Sequence, residues 1–252
     1  PNIFRSLRYI STPQSISILV SSGIYYLVHH LFKTGVYMEN HGHHHGQMPK
    51  ATGFHLKLKE GTQALHDDAE AGSFQVRMVE GNLARAEFAT FLCQMHHVHS
   101  ILDPGLESAA ESDSRVSQIF EKSHLRKLRI EQDLEDLGCS EMQDVLPSTL
   151  RFTTYINKMS EKSATSLIGF LYVKEGATNG NKFIAKKLRA TMGLGDDKAM
   201  GYLDPHGEDQ RRCWNAFKEN LNQLDLTDDE QAECVEVAQE TFRMVMDVSK
   251  EV

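Results

Sequence analysis

The side chains best suited to chemistry fall in two segments far apart in the chain. The first reads Leu56-Lys-Leu-Lys59-Glu60-Gly61-Thr62-Gln-Ala-Leu-His66-Asp-Asp-Ala69-Glu70. The second reads Leu171-Tyr172-Val-Lys-Glu175-Gly176-Ala177-Thr-Asn179-Gly180-Asn181-Lys-Phe. An imidazole holds a metal through one ring nitrogen. Lys59 precedes His66 by two helical turns, on roughly the same face, where an ammonium can meet an anionic group at the rim of the same site. Gly176 and Gly180, four apart, share one face of a helix. Each costs ~1 kcal/mol relative to alanine in a helix interior, and a bare backbone is what lets a flat ring lie against a helix. A planar, metal-centred ligand between two helices would use all these features. Neither segment alone requires one. A lone helical His is ordinarily a polar surface or satisfied core residue, and the Gly- and Asn-containing stretch reads equally well as a loop.

The elements that must position these residues are helical. From residue 51 onward apolar positions recur at three and four, as in Leu83, Phe88, Phe91, Leu92 and Met95, the period of an amphipathic helix. No alternating run suggests a strand. The pattern predicts helices near 54–70, 74–80, 84–102, 115–137, 148–160, 162–192, 207–224 and 228–249. Pro104, Pro147 and Pro205 are read as breaks. Gly138 and Gly193 are read as C-terminal stops, and Thr227-Asp-Asp-Glu230 has the spacing of a capping box. The expected fold class is all-α, one domain over 51–252.

Residues 1–50 differ in kind. Residues 1–38 contain no acidic side chain but carry Arg5, Arg8, Lys33 and many serines. The fairly apolar stretch 16–32 is too short and polar for a confident membrane span, which needs ~20 mostly apolar residues. The segment is expected to be disordered or artefactual, with Met38 a usable start, or else a targeting peptide. The tract Asn40-His-Gly-His-His-His-Gly-Gln-Met-Pro49 reads as a linker before a metal site.

Composition excludes some classes. The chain has 252 residues, 40% hydrophobic and 25% charged, ordinary for a globular protein. A net charge of −8 argues against nucleic-acid binding, which favours a basic stripe. Cys93, Cys139, Cys213 and Cys234 form no CxxC pair, so free thiols in a reducing, cytoplasmic compartment are expected. His96 and His99 share a helix face, but no carboxylate near them in sequence completes a tight metal site.

Taken together and in order, the two segments resemble the haem oxygenase family. Its first helix carries a similar string: Lys, Glu, a small residue and Thr lead to the iron-binding His, then Ala-Glu. Lys59, Glu60, Gly61, Thr62, His66, Ala69 and Glu70 match it. Gly81-Asn-Leu-Ala-Arg85-Ala-Glu-Phe88 is similar to the entry of the family's second helix. Tyr172-Val-Lys-Glu175-Gly176-Ala-Thr-Asn-Gly180-Asn181 is similar to a Tyr-Val-x-Glu-Gly-Ser-x-x-Gly-Gly string of the bacterial, phytochrome-linked branch. Asn181 stands where a second glycine is expected, and Ala177 where animal enzymes carry an Asp. Trp214-Asn-Ala-Phe217-Lys218 and Glu236-Val-Ala238-Gln-Glu-Thr-Phe242 resemble two further stretches near the C-terminus.

The resemblance implies a helical bundle holding haem between a proximal and a glycine-containing distal helix. His66 would be the axial iron ligand. Lys59 and Lys218 would meet the propionates, while Glu70, Phe242 and Asn181 would belong to the pocket and Gly176 and Gly180 would lie over the haem. It implies O2- and reductant-dependent cleavage of haem to biliverdin, CO and ferrous iron, the haem being both substrate and cofactor. The electrons would come from a redox protein such as ferredoxin, or from ascorbate. Three rivals stand beside it. One is a haem-binding protein that does not degrade haem, supported by Asn181. Another is a non-haem di-iron oxidase, though paired Glu-x-x-His motifs are missing. The last is a helical adaptor, which leaves the glycine face unexplained.

Overall fold

The computed structural model describes residues 51–139, 141–195 and 198–252. The readings made on residues 1–50 lie outside the described residues. Among these there are nine α-helices, three short 3-10 turns and no strand. The helices are α1 (Gly53–Glu70), α2 (Ser73–Glu80), α3 (Arg85–Ser112), α4 (Ser114–Ile119), α5 (Lys127–Asp136), α6 (Pro147–Lys162), α7 (Leu167–Met192), α8 (Gln210–Asn222) and α9 (Asp228–Glu251). None is long and apolar enough to cross a membrane.

Local chemistry sets the boundaries. Thr227 and Glu230 close the capping box that starts α9, with the Thr227 backbone N–H donating to Glu230 at 2.9 Å. Three acidic residues in that first turn complement the helix dipole. Gly193 ends α7 with φ +63°, and Gly138 follows α5 with φ +76°, the left-handed stops that glycine adopts without steric cost. Pro147 sits in the first turn of α6, where its missing N–H is not needed.

Two expectations fail. Pro104 does not break α3, which continues to Ser112. Proline removes one ladder bond, but Leu102, Leu106 and Ala109 are buried on either side of it, and their packing carries the helix through. The single helix expected over 115–137 is instead two. Phe120 and Leu125 are extended around a 3-10 turn, Lys122–His124. The Asp103 carboxylate then accepts the backbone N–H groups of Arg126 and Lys127, both at 2.8 Å, and starts α5 there. The interruption delivers His124 and Arg126 to the interior, where both are buried.

Helix α9 is the frame of the site. It packs against α1, α6 and α7. A Cβ on Gly61 of α1 would come within 2.5 Å of the Val235 side chain, and the Gly61 carbonyl accepts from Gln239 at 2.7 Å. A Cβ on Gly169 of α7 would come within 2.6 Å of the Cys234 carbonyl oxygen and 2.9 Å of the Ala238 nitrogen. Small residues on α1 and α7 thus let both helices rest closely on one support. Both segments singled out from the sequence are held by α9.

Candidate functional site

Helices α1 and α7 meet at one polar contact. The Thr62 hydroxyl donates to the Leu58 carbonyl at 2.8 Å and shares a hydrogen bond with the buried Tyr172 hydroxyl. Burial pushes the Tyr172 pKa up from its usual value of 10.0. From that contact His66 lies one turn along α1, and Gly176 one turn along α7. Gly180 follows another turn on.

His66 is half-exposed, and its ring lies edge-on to Phe242 of α9, with centroids 6.0 Å apart. Its Nδ1 is 3.9 Å from an Asp67 oxygen and its Nε2 is 3.8 Å from an Glu70 oxygen. These distances are too long for hydrogen bonds. A small rotation would let one carboxylate take a ring N–H and leave the other nitrogen for a metal, the usual arrangement of an orienting carboxylate behind a metal-bound His. His66, Asp67 and Glu70 are also the one trio of potential metal ligands grouped tightly among the described residues. His96 and His99 each have a carboxylate partner, with Glu131 2.9 Å from His96 and Asp103 2.8 Å from His99. The two pairs do not come together as a metal-binding group.

Lys59 and Lys218 reach the same rim. Lys218 lies over the Trp214 ring, 5.7 Å from its centroid. Its pKa is lowered first by burial and, against the attraction of Glu219, by the charge of Lys59. Neither lysine makes an ion pair with a described residue. His55, one turn before Lys59, is held neutral, its pKa lowered to about 4 by burial and then by Lys218 and Lys59. Uncompensated positive charge gathered at one spot favours an anion there.

Helix α7 runs unbroken through Gly176, Asn179, Gly180 and Asn181, so the loop alternative does not hold. Asn179 is tied back on both sides. Asn179 donates to the Gly176 carbonyl at 2.8 Å and accepts from Gln210 at 2.8 Å. Asn181 is half-buried, and its amide has no hydrogen-bond partner among the described residues. A Cβ on Gly176 would meet only the edge of Trp214, at 3.6 Å, an ordinary contact.

Sequence reasoning missed what lies behind Gly176. Glu175 is buried, and its carboxylate accepts from Arg126, Lys174 and His206, each at 2.8 Å, with His124 at 3.9 Å. Lys174 also donates to the His124 carbonyl. Against the pull of desolvation, Lys174 and Arg126 hold the Glu175 pKa well below 4.5. Burial lowers His124 to about 3 and Lys174 to about 8. A Glu directly before the glycine was visible in the string. Lys174 is its neighbour in the chain, but Arg126, His124 and His206 come from the stretch before α5 and the loop before α8, and no local spacing links them.

The residues present fit a haem. One imidazole has a carboxylate ready to orient it, two rim lysines lack acidic partners, and one helix face carries a glycine that packing does not require. The Heme oxygenase family model matches residues 52–251, and the chain belongs to the heme oxygenase family. A heme oxygenase of Rhodella violacea is 24% identical over 205 residues, covering 79% of this chain and 87% of that protein. The structure of heme oxygenase from Leptospira interrogans superposes with a TM-score of 0.74 at 20% identity, over 80% of this chain and all of that one. Heme oxygenase-1 of Synechocystis, solved in complex with heme, gives a TM-score of 0.72 at 20% identity over 79% of this chain and 92% of that one. The all-α heme oxygenase fold follows from these likenesses.

Proposed function

We propose that this chain binds haem through His66 and, with O2 and an external reductant, converts it to biliverdin, CO and ferrous iron. Haem bound there supplies both the oxygen-activating iron and the ring that is opened. The protein's own part is orientation. His66 would hold the iron while Glu70 or Asp67 fixes the imidazole. Lys59 and Lys218 would pair with the propionates, and Phe242 would back the His66 ring. The bare face at Gly176 and Gly180 would let the backbone close over the opposite side, with no side chain acting as general base. The electrons would come from a redox protein such as ferredoxin, or from ascorbate, in a cytoplasmic setting. What supports this reading is the match to the Heme oxygenase family over residues 52–251, together with a half-exposed His66 beside Phe242 on α9 and a Gly176 at which an added Cβ would meet Trp214 only at ordinary contact distance.

Asn181 favours a second reading, in which haem is held but not degraded. An amide on α7 without a hydrogen-bond partner among the described residues can crowd the haem or donate to whatever the iron binds. One titration separates the two. Hemin added to the purified protein should raise a Soret band that His66→Ala weakens at least tenfold in affinity. Ascorbate or a ferredoxin system in air should then bleach that band and raise the broad red absorbance of biliverdin. Persistence of the band under reductant supports the second reading. No Soret band sinks both.

A further inference from the structure

Trp214, the only tryptophan in the chain, lies between the rim lysines and the glycine face. It projects from α8, stacked on Phe217 one turn later with planes 20° apart. Its ring is edge-on to His55 of α1, with centroids 5.7 Å apart, and tilted against Tyr172 of α7 at 6.1 Å. The Lys218 ammonium covers it, and the far edge of the indole faces Gly176. Aromatic neighbours on three helices and a cation over the ring fix its place more firmly than burial alone, because Trp214 is itself only partly buried.

The position has a steric consequence. Lys218 and Gly176 mark two features that one bound ring would contact, its anionic edge and its face. The indole sits between them. A ring whose carboxylates are held by Lys59 and Lys218 must abut the indole before it reaches the backbone at Gly176. We infer that Trp214 is a specificity-determining residue, a wall that fixes the in-plane rotation of the bound porphyrin and hence which meso carbon is presented for cleavage. This rests on the haem-binding reading above. The indole selects through shape, since a missing or smaller side chain leaves room for a second rotation of nearly equal energy. Shape differences of that kind in an apolar pocket separate outcomes by about tenfold or more.

The test uses the full chain and Trp214→Phe and Trp214→Ala variants. Hemin binding is followed by the Soret band, and in-plane orientation by the haem-methyl proton resonances of the ferric cyanide complex, a readout that needs no turnover. Biliverdin isomers are then separated after reaction with ascorbate. The wild type should give one dominant set of methyl resonances and one dominant isomer. Trp214→Ala should give two sets and a second isomer rising from a trace to a fifth or more of the product, with Trp214→Phe between them. Hemin affinity should change by less than tenfold. Unchanged methyl patterns and an unchanged isomer in both variants, each still binding hemin, would overturn the role of Trp214. Absence of hemin binding in the wild type would instead overturn the reading on which it rests. A far-UV melting curve on Trp214→Phe confirms that the comparison is made on folded protein.

Discussion

The two halves of helix α7 are held to opposite standards. In its first half every feature is answered by a neighbour. Gly169 is there because α9 backbone lies where a side chain would go, at 2.6 Å from a would-be Cβ. Glu175 ends that half with three hydrogen-bonded partners. One residue later, at Gly176, packing makes no such demand. Among the described residues, a Cβ on Gly176 would touch a single indole carbon at 3.6 Å, and Asn181 has no partner for its amide. The same residue type thus serves two purposes on one helix. The glycine at 169 is explained by the protein, whereas the glycine at 176 costs helix stability for which the packing offers no return.

The largest effect on stability should come from the answered half. Glu175→Gln removes the charge that two buried cations share, leaving Arg126 and Lys174 uncompensated. That should cost about 3–5 kcal/mol, read as a fall in the urea midpoint at pH 7. Acid should expose the same cluster. The Glu175 pKa is lowered in the folded protein, so its contribution is complete above 4.5 and disappears as pH falls through the depressed value. His124 and His55 are lowered to about 3 and about 4. The unfolded chain protonates them near 6.5, so stability should already decline below that pH. Asp133, raised to about 6 by burial, works the other way between about 6 and 3.8. Wild-type stability should therefore fall gently from pH 6.5 and steeply below 4.5. In Glu175→Gln the fall below 4.5 should be shallower, with Asp103, Asp113 and Glu131 still contributing to it. Equal acid slopes in the two proteins would contradict the arrangement.

Next in size is Gly169→Ala. The added methyl meets backbone rather than a movable side-chain end, so α7 and α9 must part. Overpacking of this kind costs ~1–3 kcal/mol. For a folded region of this size that is roughly 2–4 °C per kcal/mol in melting temperature. A melting curve unchanged by Gly169→Ala would remove the contrast between the two halves.

How much of this was legible in the chain depends on distance along it. Helix periods, the capping box at Thr227 and the glycine stops are set within a few residues, and they stand in the structure where the pattern put them. Pro104 misled because a local rule was overridden by burial on both sides of it. The break before α5 was missed because its cause is Asp103, more than twenty residues upstream, which takes two backbone donors. The haem reading grew from His66, Gly176 and their strings. The ionic cluster around Glu175 was invisible, since it joins residues from α7, from the stretch before α5 and from the loop before α8. Trp214 was in plain sight as a residue, but nothing local says that its indole faces Gly176.

The smallest effect bears most on function, because its sign separates the two uses of glycine. Gly176→Ala places a methyl at ordinary contact distance from Trp214 and gains the helix propensity that glycine forfeits, ~1 kcal/mol. The haem-free protein should melt about 2–4 °C higher. If the bare face exists to let backbone approach a porphyrin, the same methyl should weaken hemin binding or slow biliverdin formation at least tenfold. Measured together, a higher melting temperature with impaired haem chemistry assigns Gly176 to the ligand. A lower melting temperature would return the residue to the packing, and Gly176 would then be a structural glycine like Gly169.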